Sequence, residues 1–180
     1  MPVFYRRYAE DMASTRDREL VQIVDAAMAE AVHRGGDWIA CRPGCHECCL
    51  GTFPITQADA RRLREGLGAI DPERAERVRQ RARNAVDEND DDPCPALDPA
   101  TGTCDLYAWR PITCRTFGPA LRLNSDSVDT CELCYEGATD DEILSTLVEL
   151  NIADRELELE AEAAAETGLA GETTVAFALR

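Results

Sequence analysis

Four of the nine cysteines in this chain fall between positions 41 and 49, beside a Pro-Gly pair. Thiolates are strong ligands for zinc, copper(I) and iron, and close spacing lets one loop bring several sulfurs to a common centre. Proline and glycine favour turns, so the stretch is predicted to be a loop. The candidate metal ligands in it are Cys41, Cys45, Cys48 and Cys49.

The other five cysteines form two later groups. Cys94, Cys104 and Cys114 recur every ten residues, with turn-forming sequence between the first two. Cys131 and Cys134 form a CxxC pair, a spacing that lets two sulfurs reach one ion or form a redox disulfide. A single cysteine is more often a small buried hydrophobe. Three loop-rich groups instead indicate metal coordination, so all nine thiols are candidate ligands, although only one of the CxxC pair is expected to be required.

The identity and number of the metals stay open at this point. Neighbouring side chains usually diverge, so adjacent Cys48 and Cys49 indicate two centres, or one centre plus a spare thiol. Zinc and cubane iron–sulfur clusters each take four ligands, and the cysteine count fits both. Neither the C-x2-C-x2-C run nor the C-x4-C-x2-C spacing of ferredoxins occurs here. The expected cofactor is therefore zinc or iron, the latter as a free ion or in an iron–sulfur cluster.

Few other residues near the cysteines are candidates for chemistry. His46 is either a replacement ligand or a bystander, and the excess of thiols favours the bystander. Arg42, Arg110 and Arg115 either offset thiolate charge or pair with surface carboxylates, and we favour surface pairing for Arg42. No catalytic acid or base is evident from the sequence, because carboxylates are abundant everywhere and neither histidine has an evident partner.

The charge of the chain restricts its partners. The 180 residues carry a net charge of -16, with 35 acidic residues against 19 basic ones, all of them arginine. Binding to nucleic acid or an anionic membrane is therefore disfavoured. An acidic surface without lysine is typical of a protein in concentrated salt, where screening removes self-repulsion. A high-GC coding bias also removes lysine. The missing lysine therefore has two interpretations, a halophilic protein and a coding bias.

The sequence favours a cytoplasmic protein. Residues 1–18 carry charges throughout and lack an apolar segment of signal-peptide length. No apolar run long enough for a membrane span occurs in the chain. We therefore expect reduced thiols, a metal ion as the partner and no membrane partner. The sequence does not indicate a protein partner.

Hydrophobic periodicity and capping patterns predict a mainly α fold, a small irregular helical domain around a cysteine-rich core of loops. The predicted helices cover residues 14–34, 56–67, 71–85, 139–150 and 155–167, and Thr173 to Leu179 is predicted to be a short terminal strand. We expect one domain in three segments. These are an N-terminal amphipathic helix at 1–40, a metal-binding region with two inserted helices at 41–134, and a C-terminal helical segment at 135–180.

Two charged runs have simple interpretations. The helix at 71–85 carries arginines on one face, which we predict to be solvated and to balance acidic neighbours, not to bind a partner. Its members are Arg74, Arg77, Arg79, Arg81 and Arg83. The acidic run from Asp87 to Asp92 fits no EF-hand spacing and is predicted to be a linker.

An ordered series of motifs between residues 41 and 134 resembles the CxxCxxCC family of zinc- or iron-chelating proteins, the YkgJ family. The motifs are Cys41-Arg-Pro-Gly-Cys45-His-Glu-Cys48-Cys49, Cys94-Pro-Ala-Leu, Gly102-Thr-Cys104-Asp-Leu-Tyr107 and Arg110-Pro111-Ile-Thr-Cys114-Arg115. The resemblance implies that these seven cysteines correspond to family cysteines, with an eighth at Cys131 or Cys134. This chain departs from the pattern in having three residues, not two, between Cys41 and Cys45.

The resemblance implies metal binding through clustered cysteines, and two alternatives accompany it. Some relatives are similar to flagellin lysine-N-methylases, which are longer chains, so one alternative is an iron–sulfur enzyme that modifies proteins. No glycine-rich nucleotide fingerprint accompanies the cysteines here. The other alternative is a protein-interaction module in which the metal is a structural staple.

Overall fold

The computed structural model describes residues 15–52, 54–85, 92–124, 128 and 130–180. The interpretations of residues 1–14 and of the acidic linker up to residue 91 lie outside this part of the chain. Seven α-helices lie within it: Thr15–Gly35 (α1), Gln57–Ala69 (α2), Pro72–Asn84 (α3), Ile112–Thr116 (α4), Asp140–Ser145 (α5), Ala153–Thr167 (α6) and Val175–Ala178 (α7). Short 3-10 turns cover Gly36–Trp38, Glu47–Cys49 and Tyr107–Trp109. The predicted mainly α class is confirmed.

Six short strands form three separate pairs. They are Pro54–Ile55 (β1), Leu97–Asp98 (β2), Thr103–Cys104 (β3), Leu121–Leu123 (β4), Val148–Leu150 (β5) and Thr173–Thr174 (β6). β1 pairs antiparallel with β6, β2 forms a hairpin with β3, and β4 runs parallel to β5. Each pair therefore connects segments of the chain that lie outside the helices.

The capping residues begin the helices as their sequence positions predict. The Thr56 side chain accepts a hydrogen bond from the Asp59 backbone N–H. Asp71 accepts from two backbone N–H groups of α3, which starts with Pro72. Thr139 forms a complete capping box with Glu142 at the start of α5. A cap of this kind is worth about 1 kcal/mol, enough to fix where a marginal helix begins.

Two hydrophobic clusters join the longer helices. The first packs α2, α3 and α7 together, with Leu63, Val78 and Leu179 almost fully buried. The second packs α1 against α6, through Leu20, Val24, Leu159 and Ala163. Among the described residues, none of the helices combines the length and apolar character that crossing a bilayer requires.

The predicted helix through Leu150 is wrong in its second half. Helix α5 ends at Ser145, and Val148–Leu150 is a strand instead. This strand pairs with Leu121–Leu123 in parallel, with Leu121 opposite Val148. The spacing of apolar residues after Ser145 is compatible with a helix or a strand. The strand forms because the backbone of β4 offers it hydrogen-bond partners.

The predicted terminal strand is also only partly correct. Thr173 and Thr174 pair with β1, but Val175 to Ala178 are helical. The Thr174 side chain accepts a hydrogen bond from the Phe177 N–H and so starts this helix. The α6 helix ends as expected, because Gly168 adopts the left-handed conformation with φ of 72°.

Candidate metal centre

All nine cysteines lie in the described residues, and all nine are free thiols. They are not equivalent in exposure. Cys41, Cys48 and Cys114 are exposed, whereas Cys131 and Cys134 are buried. Contacts and electrostatic neighbours gather the thiols into two groups, and Cys45 lies near members of both, Cys41 and Cys48.

The first group surrounds the β2–β3 hairpin, and we call it the hairpin thiol group. Its members are Cys48, Cys49, Cys94, Cys104 and Cys114. The Cys94 backbone N–H donates to the Cys49 carbonyl over 2.7 Å, and Leu97 pairs with Cys104 in the hairpin. Loss of solvation, followed by the charges of Cys94 and Cys104, raises the pKa of Cys114. Thiols from three parts of the chain therefore face one another here.

The second group surrounds the turn from Cys131 to Cys134, and we call it the turn thiol group. Its members are Cys41, Cys45, Cys131 and Cys134. The Cys41 and Cys134 Sγ atoms lie 3.9 Å apart. Two sulfurs bound to one tetrahedral zinc at 2.3 Å would lie about 3.8 Å apart. The pair already has the spacing that a shared zinc ion requires.

The pKa values of the thiols show which of them a metal would have to deprotonate. Although Cys41 is exposed as a whole residue, desolvation of its sulfur, followed by the charge of Cys134, raises its pKa to about 12. Burial, followed by the charge of Cys94, raises the pKa of Cys104 to about 12. A hydrogen bond from Cys49 lowers the pKa of Cys48 to about 6. At neutral pH Cys48 is therefore a thiolate, while Cys41 and Cys104 are protonated.

Cys48 and Cys49 share this hydrogen bond although they are adjacent. The expectation that neighbouring side chains diverge does not hold for this pair. The 3-10 turn at Glu47–Cys49 brings them together, since its Cys49 N–H donates to the His46 carbonyl over 2.8 Å.

Buried charges position the helix that carries Cys114. The Ile112 N–H, at the start of α4, donates to Asp59 Oδ1 over 3.0 Å. Arg115, which is 2% exposed, donates to both oxygens of Asp25 in α1 over 2.8 and 3.0 Å. Two helices therefore fix the Cys114 segment from opposite ends, and Arg115 is a structural residue.

A second ion cluster positions the hairpin. Buried Asp105, next to Cys104, accepts charged hydrogen bonds from Arg74 and Arg81 of α3. Arg81 also donates to the Pro95 carbonyl over 2.7 Å, one residue after Cys94. The prediction of a solvated face is therefore wrong for Arg81, whose side chain is 24% exposed, whereas Arg74 is 41% exposed and balances an acidic neighbour as predicted. Arg79 and Arg83 do lie at the surface, where both pair with Glu76.

The donor chemistry of both groups fits a thiolate-bound metal. Within the part of the chain that the structure describes, no three His, Cys, Asp or Glu side chains are already arranged to hold an ion. Loading of either group therefore requires side-chain rotation around sulfurs that the backbone has already gathered. The donors in both groups are cysteine sulfurs, and a soft donor set of this kind suits zinc and iron–sulfur centres.

Comparison with known proteins adds one finding. A family model described as "putative zinc- or iron-chelating domain" matches residues 40–140, which is more than half of the chain. The chain belongs to the CxxCxxCC family. The match covers both thiol groups. No curated protein and no solved structure matches the chain.

Two other candidates from the sequence lie between the cysteines of the CxxCxxCC domain. His46 is exposed, and its Nδ1 donates to the Gly44 carbonyl over 2.9 Å, which favours the bystander interpretation. The Arg110 guanidinium stacks on the Tyr107 ring at 4.0 Å. Its positive charge acts to lower the pKa of Cys104, although burial outweighs it.

Sequence reasoning missed one glycine of this site. Gly118 has a φ of +128°, and a Cβ atom there would lie 3.0 Å from the Cys41 sulfur. Both the backbone conformation and the close sulfur require a residue without a side chain. The Phe-Gly-Pro sequence at 117–119 announces a turn, but it does not reveal that a thiol packs on it.

A cavity of about 300 Å³ lies beside the hairpin thiol group. Thr113 and Thr116 of α4 line it, together with Asp59, Phe117 and Glu156. Burial, followed by the charge of Asp59, raises the pKa of Glu156, whose Oε2 accepts from Asn124 over 2.7 Å. The cavity is therefore partly acidic, and one of its lining residues, Thr113, directly precedes Cys114 in the sequence.

Proposed function

We propose that this CxxCxxCC protein is a cytoplasmic metal-binding module that coordinates zinc or an iron–sulfur centre through its clustered cysteines. The observation that carries the proposal is the 3.9 Å between the Cys41 and Cys134 sulfurs, which lie 93 residues apart in sequence. The family description supports chelation of zinc or iron. The proposed unit is a single domain built from segments 1–40, 41–134 and 135–180.

The chain's own residues have defined parts in this proposal. The hairpin and turn thiol groups supply the ligands, and the ion pairs of Asp105 and Arg115 hold the ligand segments in place. Zinc, when bound, ties segments together, whereas an iron–sulfur cluster also supplies one-electron redox chemistry. Cys48, with its lowered pKa, is the thiol most ready to begin binding.

Anaerobic purification followed by absorption spectroscopy and metal analysis tests the proposal. A brown protein whose visible bands bleach on reduction carries an iron–sulfur cluster. A colourless protein with stoichiometric zinc excludes the cluster and supports zinc. A protein that contains neither metal, and binds neither on anaerobic reconstitution, contradicts the proposal.

Cysteine variants test the ligand assignment within it. Cys48→Ser and Cys114→Ser should each lower the metal content, since each removes a sulfur of the hairpin thiol group. Thr113→Ala is the matched control, because Thr113 is the exposed neighbour of Cys114 on the same helix. Full metal occupancy in both cysteine variants would contradict the assignment.

A second candidate is an iron–sulfur enzyme that modifies proteins, and the cavity beside α4 favours it. Its Asp59 and Glu156 carboxylates and threonine hydroxyls would suit a polar or cationic group. Transfer of a methyl group requires a methyl donor. Isothermal titration of the metal-loaded protein with S-adenosylmethionine tests this requirement, and absence of donor binding removes the candidate.

A third candidate, a module stapled by metal, makes a separate prediction. If the ion holds the fold together, chelation under reducing conditions should reduce the helical circular dichroism signal. An unchanged spectrum after complete metal removal excludes it. The hydrophobic clusters of α1, α2, α3 and α6 favour this second result.

A further inference from the structure

We propose that the nine thiols form two separate metal centres, and that Cys41, Cys45, Cys131 and Cys134 make the second. This inference rests on the proposed metal-binding function and assigns the number of metal centres per chain. It also requires both Cys131 and Cys134, whereas the sequence alone predicts that one of them suffices.

The turn thiol group has its own backbone hydrogen bonds. The Cys131 N–H donates to the Gly118 carbonyl over 3.0 Å, and the Tyr135 N–H donates to the Trp38 carbonyl over 3.0 Å. The Tyr135 hydroxyl accepts a hydrogen bond from the Ala120 N–H over 3.2 Å. The CxxC turn is thus held between the end of the first helical segment and the chain that follows α4.

The hairpin thiol group is anchored elsewhere. Leu50 bridges to Pro93, and the Gly51 N–H donates to the Asp92 carbonyl over 2.9 Å. These bonds extend the link between Cys49 and Cys94 into a short antiparallel contact. The two thiol groups are therefore gathered by different backbone hydrogen bonds, although the 41–49 loop and the segment from Cys114 to Gly118 each contribute to both.

Packing separates the two groups in the same way. Cys131 and Cys134 are buried in a small cluster with Ala120 and Tyr135. Cys94 and Cys104 instead pack against the cluster formed by α2, α3 and α7. Sulfurs that belong to different packed clusters cannot converge on one ion without moving the backbone.

Two of the four proposed ligands already have the spacing of a tetrahedral ion, and the other two are electrostatic neighbours of Cys41. Cys41 and Cys134 already have zinc-like sulfur spacing at 3.9 Å. Cys131 is joined to Cys134 by a turn in which the Cys134 N–H donates to the Cys131 carbonyl over 2.9 Å, a common arrangement for CxxC ligands. The Cys45 thiol donates to Glu47 Oε2 over 3.0 Å, and it must release this bond to complete the set.

Zinc stoichiometry of the reduced full-length chain tests the proposal directly. The apo-protein is loaded anaerobically with Zn²⁺, and native mass spectrometry counts the bound ions. Two ions per chain are expected. One ion per chain overturns the proposal while leaving the proposed function intact, whereas no bound zinc or iron contradicts the proposed function itself.

Paired variants identify which thiols hold which ion. The double variant C131S/C134S should retain one zinc ion, and C94S/C104S should retain the other. Loss of all zinc in either variant, with circular dichroism unchanged, indicates one shared multinuclear centre and overturns the proposal. Two ions retained in C131S/C134S also overturn it, as does a Cys41–Cys134 disulfide in the zinc-loaded chain.

A glycine pair provides a test that leaves every thiol in place. Gly118→Ala places a methyl group 3.0 Å from the Cys41 sulfur and should weaken the second zinc ion alone, by at least tenfold. Gly137→Ala is the matched control, because Gly137 also has a positive φ but nothing lies within 4 Å of a Cβ there. Equal zinc affinities in the two variants would contradict the proposed ligand position of Cys41.

Discussion

The carboxylate of Asp59 accepts a hydrogen bond from the Ile112 N–H over 3.0 Å, and this bond links α2 to the helix that carries Cys114. The same carboxylate pairs with Arg62, which also binds Asp17 of α1. All three charged side chains are at least 95% buried. A buried ion cluster thus joins three helices directly behind the hairpin thiol group.

Removal of the Asp59 carboxylate should destabilise the protein strongly. Asp59→Ala leaves the Arg62 guanidinium with one of its two partners and leaves the Ile112 N–H unpaired. Loss of one partner of a buried ion pair typically costs about 3–5 kcal/mol. Urea denaturation followed by circular dichroism measures the free energy of unfolding.

A surface substitution provides the contrast for this measurement. Glu76→Ala removes a carboxylate that pairs with Arg79 and Arg83 at the surface, and we expect little change. A similar loss in the two variants would contradict the structural role assigned to Asp59.

Arg81 should matter for metal binding although it is not a ligand. Arg81→Ala removes both the ion pair to Asp105 and the hydrogen bond to the Pro95 carbonyl. The hairpin then holds Cys94 and Cys104 less firmly, and zinc affinity should fall about tenfold, as is usual when support for a metal ligand is lost. Competition with a chelator of known affinity measures the change.

Arg83→Ala, on the same helix, is the control for that substitution. Arg83 donates hydrogen bonds to Glu76 and Gln80 at the surface. Zinc affinity should therefore match that of the unaltered protein. If Arg83→Ala weakens zinc binding as much as Arg81→Ala, the loss comes from removing a positive charge and not from the contacts of Arg81 with the hairpin.

Metal affinity should rise with pH. The pKa values of Cys41 and Cys104, both raised to about 12, keep these thiols protonated at neutral pH. Each thiol proton that the metal displaces changes the apparent affinity about tenfold per pH unit. Cys48, with a pKa of about 6, is already a thiolate at pH 8 and adds no dependence there. Zinc competition at pH 6, 7 and 8, with proton release in weak buffer, checks this.

The contrary result is equally clear. After correction for the chelator's own protonation, an affinity that does not change between pH 6 and 8 would show that the ligands are not protonated thiols.

Glu156 should make stability depend on pH in the opposite direction to an ordinary ion-paired acid. Burial raises its pKa above the ordinary value of 4.5, so the folded state holds the proton more tightly than the unfolded state. Its stabilising contribution is complete below pH 4.5 and is lost as the pH rises through the folded-state value. Glu156→Gln should therefore match the unaltered protein at low pH and exceed it at neutral pH. Urea denaturation across this range measures the difference.

That comparison has a built-in control. Glutamine keeps an oxygen that can accept from Asn124, so the hydrogen bond survives while the charge is removed. A constant difference between the two proteins at all pH values would exclude a titration effect.

The sequence predicted well what depends on local chemistry. The caps at Thr56, Asp71 and Thr139 and the left-handed stop at Gly168 act where their residue types indicate. The CxxCxxCC motif likewise predicted the family, because the order and spacing of its cysteines are a property of the chain alone.

What the sequence did not predict depends on long-range partners. Nothing in Val148–Leu150 reveals that Leu121–Leu123 offers it a parallel neighbour. Nothing in the arginine run reveals that Asp105 is buried opposite two of its members. The division of the thiols between two packed clusters has the same origin, since it depends on which helices cover each segment.

The pairing of β1 with β6 has a consequence for synthesis of the chain. Ile55 pairs with Thr173, and the cluster that packs on Cys94 and Cys104 includes Val175, Ala178 and Leu179. The ribosome therefore makes every cysteine before it makes the residues that complete this cluster. Until those residues are in place, Cys94 and Cys104 lack part of their native cover, so the order of translation favours metal access before the cluster closes over them.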